Sequence, residues 1–168
     1  MKAEFNNISI SKIGTSVPRN SLDLISLTEL GTEGELKTII KTTGISSVRV
    51  AEGNMTSSDL CIEAANCILE DSEKEEIDAL IFVSQTRDYH LPQTSFIIQN
   101  RLNLRKDIFC LDIPLGCSGY INGLFQASLL LQIPNIKKVL LLAGDTSTKM
   151  INAKDRATRM VFGDGGSA

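Results

Sequence analysis

The chain contains no tryptophan and a single histidine, His90. Its four cysteines, Cys61, Cys67, Cys110 and Cys117, form no C-x-x-C pair. With so few ligands at metal spacing, a zinc site is not expected. Lys and Arg form no patch, and 17 basic against 20 acidic residues leave a net charge of -3. That argues against a nucleic-acid partner. No apolar run approaches the roughly 20 residues of a membrane-spanning helix. The first residues, Met1 to Asn7, lack the apolar core of a signal peptide. A cytoplasmic protein with no membrane association is expected, and in a reducing compartment a disulfide framework is not. There is no low-complexity segment and no internal repeat.

What remains is ordinary for a globular protein: 168 residues, 42% hydrophobic and 22% charged, enough for one domain with a real core. Alternation over Ile8 to Ile13 predicts a first strand. Ser21 to Glu29 and Glu35 to Thr42 read as weak helices, and Ser46 to Ala51 as a short strand. Thr56 to Asp59 supplies N-cap residues for a helix over Ser58 to Glu70. Ala79 to Ser84 is a continuous apolar run, the pattern of a strand buried on both faces. A helix over Thr94 to Leu102 and a strand over Ile108 to Ile113 follow. A helix from Cys117 to about Gln132 comes next, then a strand over Val139 to Ala143. Strands alternating with helices imply an α/β fold with a mostly parallel sheet.

The helix after Cys117 is apolar nearly all round, which predicts burial in the middle of a protein. Cys61, Cys67 and Cys110 read as small buried hydrophobes. Cys117 differs. It follows a strand and the Gly116 turn and stands at the start of a helix, where unpaired amides and the dipole favour negative charge. Such a seat favours the thiolate, the nucleophilic form. It also offers amides to an oxyanion, as an acyl carrier needs. The glycine-rich stretch Gly163 to Gly166 reads as a tight turn before a core strand rather than a phosphate cradle. A chain stopping there is expected to be a piece of a longer protein.

Four segments, in order, carry a resemblance. They are Lys41-Thr42-Thr43-Gly44-Ile45; Ala79 to Leu102 with His90-Leu91-Pro92; Asp112 to Gly119; and Asp155-Arg156 with Phe162-Gly163-Asp164-Gly165-Gly166. Together they resemble the N-terminal half of a type III β-ketoacyl-acyl-carrier-protein synthase, of the thiolase superfamily. The resemblance implies a thiolase-like βαβαβαββ half, with a mixed, mostly parallel sheet and helices on both faces. Residues 1–168 would then be one domain, with a similar C-terminal half absent.

By the same resemblance, Cys117 matches the nucleophile that takes an acyl group from acyl-coenzyme A or acyl carrier protein. No cofactor is bound permanently. A carbanion from decarboxylation of a malonyl thioester then attacks the acyl-enzyme, in fatty-acid or related lipid or polyketide synthesis. The family's catalytic histidine and asparagine lie in the other half. His90 matches no catalytic position and reads as a loop histidine. At the coenzyme A site the family often has a tryptophan where Thr38 stands, and an arginine where Thr42 stands. Arg156 matches a residue lying against the nucleotide. These departures imply weaker use of free coenzyme A, or a donor held on a carrier protein. Leu91 matches a position that crosses a homodimer into the partner's acyl pocket, with simple packing as its alternative. Thr86 occupies roughly the place of a glutamate base in the related hydroxymethylglutaryl-CoA synthases, which disfavours that branch.

Two other functions compete. A non-catalytic partner subunit of a condensing heterodimer would use the same fold, but retention of Cys117 argues against it. A cysteine hydrolase would need a histidine base near Cys117, and His90 is poorly placed for one.

Overall fold

The computed structural model describes residues 3–168. Its centre is the apolar run predicted as a buried strand, Ala79–Val83. Every residue of that strand is buried. Numbered in chain order, the strands are β1 (Thr15–Ser16), β2 (Ser21–Asp23), β3 (Ser47–Arg49), β4 (Ala79–Val83), β5 (Phe109–Ile113), β6 (Val139–Asp145) and β7 (Gly165–Ser167). The helices are α1 (Glu33–Thr43), α2 (Ser57–Asn66), α3 (Asp71–Lys74), α4 (Thr94–Arg101), α5 (Gly119–Leu130) and α6 (Arg156–Arg159). The main sheet has the order β1-β7-β6-β4-β5. β4 is parallel to both β5 and β6, whereas β7 is antiparallel to β6 and to β1. β2 and β3 form a separate antiparallel ribbon.

Alternation along β4 divides the core into two layers. Leu80 and Phe82 join Cys61, Ile62 and Ala65 of α2, Ile98 of α4, and Leu140 and Leu142 of β6 on one face. Ile81 and Val83 point to the other face, with Ile113, Ala127, Leu130 and Leu141, beneath α5. Each fully buried side chain of this size contributes about 1.5–3 kcal/mol. A smaller cluster, Leu24, Leu27, Leu30, Leu36, Val48 and Met160, lies under α1 and the ribbon.

The helices begin where the side chains can close them. α1 starts at a capping box, with Thr32 and Glu35 bonding each other's backbone, and stops at Gly44, whose φ of 74° suits glycine. Thr56 and Asp59 make the same box at α2. α5 approaches the sheet closely through two glycines. A Cβ on Gly123 would lie 2.7 Å from Leu141 Cδ1 and 2.9 Å from Val83 Cγ2. Gly123→Ala should gain about 1 kcal/mol of helix propensity. It should lose more, about 1–3 kcal/mol, to overpacking against the stiff, buried Val83. A net fall in the urea midpoint is expected, and a rise would show that α5 can lift off the sheet.

Several expectations are corrected. Ile8 to Ile13 forms no strand; pairing begins at Gly14, which exchanges both backbone hydrogen bonds with Ala168, and continues through Thr15 and Ser16 with β7. Ser21 to Glu29 is not a helix. It is β2 followed by two short 3-10 turns, Leu24–Ser26 and Thr28–Leu30. Leucines three apart lie on one side of a 3-10 turn, and Leu24, Leu27 and Leu30 all enter the smaller core. The helix predicted to run to Glu70 ends at Asn66. Beyond it Cys67 is exposed, not buried, and α3 starts afresh. The helix after Cys117 is not buried all round. Only Gly119 and Gly123 are buried, and Ile121 is 66% exposed, because one sheet face covers one side of α5.

Candidate functional site

The parallel strands β4, β5 and β6 all end at one rim of the sheet, and the loops leaving them form the site. β5 ends at Ile113. The Leu115 N–H donates back to Ile113 O at 2.9 Å, and the Gly119 N–H donates to Gly116 O at 2.7 Å. This tight turn carries Cys117, which is exposed and stands immediately before Ser118, the N-cap of α5. The predicted start of the helix at Cys117 is therefore two residues early. Ser118 makes no side-chain cap; the first amide of α5, Gly119 N–H, is held by Gly116 O, so only the amides after it are open to a ligand oxygen. Cys117 is not in mid-strand; it sits at the helix entrance, as its neighbours in sequence implied.

Cys61 and Cys110 pack in the core, whereas Cys67 is exposed. Burial pushes the Cys61 thiol up to about 12, and burial followed by the nearby Asp112 carboxylate pushes Cys110 up to about 11. Iodoacetamide at pH 8 should therefore modify the exposed Cys67 and Cys117 well before Cys110 and Cys61. Peptide mass spectrometry over a time course reads this order. Early labelling of Cys61 would contradict the packing of α2 on the sheet.

A second layer of interactions, invisible in the sequence, fixes the neighbouring loop. Asp145, the last residue of β6, accepts four hydrogen bonds on Oδ1. They come from Ser84 Oγ at 2.9 Å, Gln85 N at 2.9 Å, Thr86 N at 3.0 Å and Thr86 Oγ1 at 2.9 Å. Thr86 Oγ1 in turn accepts from Thr146 N at 2.8 Å. The Thr86 hydroxyl thus has its proton and a lone pair engaged, as a hook between the ends of β4 and β6. The Ser84 N–H donates to Ile113 O at 3.2 Å, joining β4 to β5. Asp112 Oδ2 and Oδ1 accept from Thr94 N and Ser95 N, both at 2.8 Å. The strand that delivers Cys117 thereby caps α4. A carboxylate at the end of an apolar run, as at Asp145, was the signal available for this network.

The remaining candidates separate into two places. Leu91 stands on the loop between β4 and α4, 84% exposed, with exposed Tyr89 and His90 beside it. Thr38 and Thr42 lie exposed on α1, their hydroxyls donating to Gly34 O and Thr38 O. Arg156 meets the same helix, with Nη1 3.4 Å from Glu35 Oε1 and 3.4 Å from Leu30 O. Thr32, through backbone and hydroxyl, and Arg156 hold the Glu35 carboxyl below its usual range. The structure thus brings Arg156, Thr38 and Thr42 to one helix, away from Leu91 and Thr86. A cavity of about 310 Å3, lined by Val48, Val50, Ile151 and Phe162 among others, does not include Cys117. Among the described residues no group of three His, Cys, Asp or Glu could hold a metal ion. No helix among them is long and apolar enough to cross a membrane.

The sheet order, the helices on both faces and a cysteine at the β5–α5 junction define a thiolase-like α/β domain. The chain resembles, over its whole length, the N-terminal half of a type III β-ketoacyl-acyl-carrier-protein synthase. Residues 111–168 match the family described as 3-oxoacyl-[acyl-carrier-protein (ACP)] synthase III. A putative 3-oxoacyl-[acyl-carrier-protein] synthase 3 of Campylobacter jejuni is 35% identical over 173 residues, covering 100% of this chain and 49% of the relative. A β-ketoacyl-[acyl-carrier-protein] synthase III of Solibacter usitatus is 34% identical, covering 95% of this chain and 48% of the relative. The crystal structure of a 3-oxoacyl-(acyl-carrier protein) synthase from Burkholderia xenovorans superposes with a TM-score of 0.88 at 38% identity, over 92% of this chain and 45% of that one. The chain spans about half the length of the curated relatives it matches.

Proposed function

We propose that these residues are the first half of an acyl-transferring condensing enzyme whose nucleophile is Cys117. The Cys117 thiolate attacks the carbonyl of an acyl thioester of coenzyme A or acyl carrier protein. The amides opening α5 stabilise the oxyanion. The donor thiol leaves with a proton, and the acyl group remains on Cys117 Sγ. A malonyl thioester then loses carbon dioxide, and its carbanion attacks the acyl-enzyme. The new carbon–carbon bond forms as the C–S bond breaks and the thiolate returns. The second half would supply the histidine and asparagine that assist decarboxylation. It would also cover the apolar outer side of α5, where Ile121 and Leu129 are exposed.

The observation that carries this reading is the seat of Cys117, exposed on a fixed turn at the uncapped entrance of α5. Acyl carrier protein is the proposed partner, and a homodimer the proposed assembly, into which Leu91 would reach. For the nucleotide of coenzyme A, Arg156 is the proposed contact beside Thr38 and Thr42. Its guanidinium already faces Glu35, which supports a preference for carrier-bound donors. Intact-mass spectrometry of the full-length protein with acyl-coenzyme A and acyl carrier protein donors tests the reading. One acyl group on Cys117 is expected, and no adduct with any donor would refute it.

A further inference from the structure

We propose that the stretch following Ala168 in the full-length protein continues β7 as a strand lying between residues 8–13 and residues 139–142. The opening segment of the chain is then part of the sheet. The inference rests on the reading of this chain as the first half of a longer protein, in line with its 49% and 48% cover of two relatives.

β7 is short beside its neighbours. β6 has seven residues, and Ala143, Gly144 and Asp145 are the ones that pair with β7. On the other side Thr15 and Ser16 of β1 pair with β7, and Gly14 exchanges both backbone hydrogen bonds with Ala168, each at 2.9 Å. Among the described residues, residues 8–13 make no backbone–backbone hydrogen bond. Two bare edges therefore flank the line along which β7 runs. Backbone N–H and C=O groups left bare on a sheet edge are a template for another strand.

The two edges specify the same register. Ser167 faces Thr15 on one side and Ala143 on the other. The three positions after Ala168 would therefore face Ile13, Lys12 and Ser11 on one side, and Leu141, Leu140 and Val139 on the other. Side-chain directions agree. Ser16 Oγ donates to Glu63 Oε2 of α2 at 2.7 Å, a Cβ on Gly14 would lie 2.6 Å from Ala64 O, and Lys12 Nζ donates to Ile68 O at 3.0 Å. Every second residue from Ser16 to Lys12 thus faces α2, which is the period of a strand, although pairing stops at Gly14. Leu140, Leu142 and Ala168 pack in that same layer, and Val139 and Leu141 in the opposite one. A strand continuing β7 alternates in step with both neighbours. It also lies beside Ile10 and Ile13, which are 61% and 68% exposed.

Amide hydrogen exchange of the full-length protein, read residue by residue by electron-transfer fragmentation mass spectrometry, tests this. In this register the N–H groups of Ile10 and Lys12 point at the added strand, whereas those of Ser11 and Ile13 point away. The first pair should exchange about a hundredfold or more slower than an unstructured chain, and the second pair faster than the first. Ile10→Pro removes an inward N–H and should release Lys12. Ile10→Ala keeps that N–H and should keep Lys12 protected, as should Ser11→Pro, which removes an outward one. Exchange at unstructured rates across residues 8–13 would overturn the proposal, as would equal effects of the two prolines. If an acyl adduct still formed on Cys117 in that preparation, only this inference would have failed. A full-length protein whose mass shows no residue beyond Ala168 would sink the reading of a longer chain and this inference with it.

Discussion

Alanine at Cys117 in the full-length protein should abolish the acyl adduct and lower condensation by about a thousandfold or more, the scale of losing a covalent nucleophile. Without sulfur at that point no thioester forms, and no neighbouring group can take its place. Cys61 is buried with its thiol pushed up to about 12, and Cys110 lies back in β5. The loss is not one of folding, because an exposed side chain away from the core changes stability by no more than about 0.5 kcal/mol. Thermal melts of Cys117→Ala and the parent should coincide while their activities diverge. Cys117→Ser keeps an oxygen nucleophile on the same turn and should form only a slow ester. Condensation by Cys117→Ala within tenfold of the parent would remove the basis of the proposed mechanism.

The second large effect concerns stability and falls on Asp164, in the glycine-rich stretch. Asp164 is 4% exposed. Its carboxylate accepts from Ala51 N at 2.7 Å, Thr148 N at 2.9 Å and Thr148 Oγ1 at 2.5 Å. It therefore pins the chain just beyond β3 to the segment after β6. Asp164→Ala would strand two backbone N–H groups and a hydroxyl, each costing about 1–3 kcal/mol when left buried and unpaired. A net loss of roughly 3–5 kcal/mol is expected, which lowers the melting midpoint by about 10 °C or more in a protein of this size. Asp164→Asn should cost less, since its carbonyl oxygen still accepts while its amino group faces a donor. Equal midpoints for Asp164→Ala and the parent would show that the three bonds are made to water instead.

Those two residues mark what the sequence reveals and what it hides. β4 was legible because a strand covered on both faces is apolar at every position, and Ala79–Val83 is. The cysteine turn was legible because strand, glycine and helix are contiguous. Its offset was not, because the bond from the Gly119 N–H to Gly116 O makes a turn of residues that helical periodicity alone would include. The segment from Ser21 was misread because leucines three apart serve a 3-10 turn as well as an α-helix. Asp145, Asp112 and Gln85 act on residues far along the chain, brought near only once β4, β5 and β6 lie side by side. No local pattern announces such a partnership. The stretch at Gly163 reads as a turn from its glycines, but the task of Asp164 within it depends on Ala51 and Thr148.

Three parallel strands running out at the same rim have an evolutionary consequence. The loops after Val83, Ile113 and Asp145 lie beyond the paired part of the sheet, so their lengths and side chains can drift while the layers beneath stay unchanged. Side chains from Tyr89 to Gln93 can therefore change at little cost to the sheet, whereas Thr86 and Asp88 cannot, since Asp88 also accepts from Thr56 Oγ1 and Ser58 Oγ at the start of α2. A lineage bearing this framework can acquire new acyl repertoires by editing one short ribbon at a time, provided Ser84, Thr86 and Asp145 keep the ends of β4 and β6 knotted together.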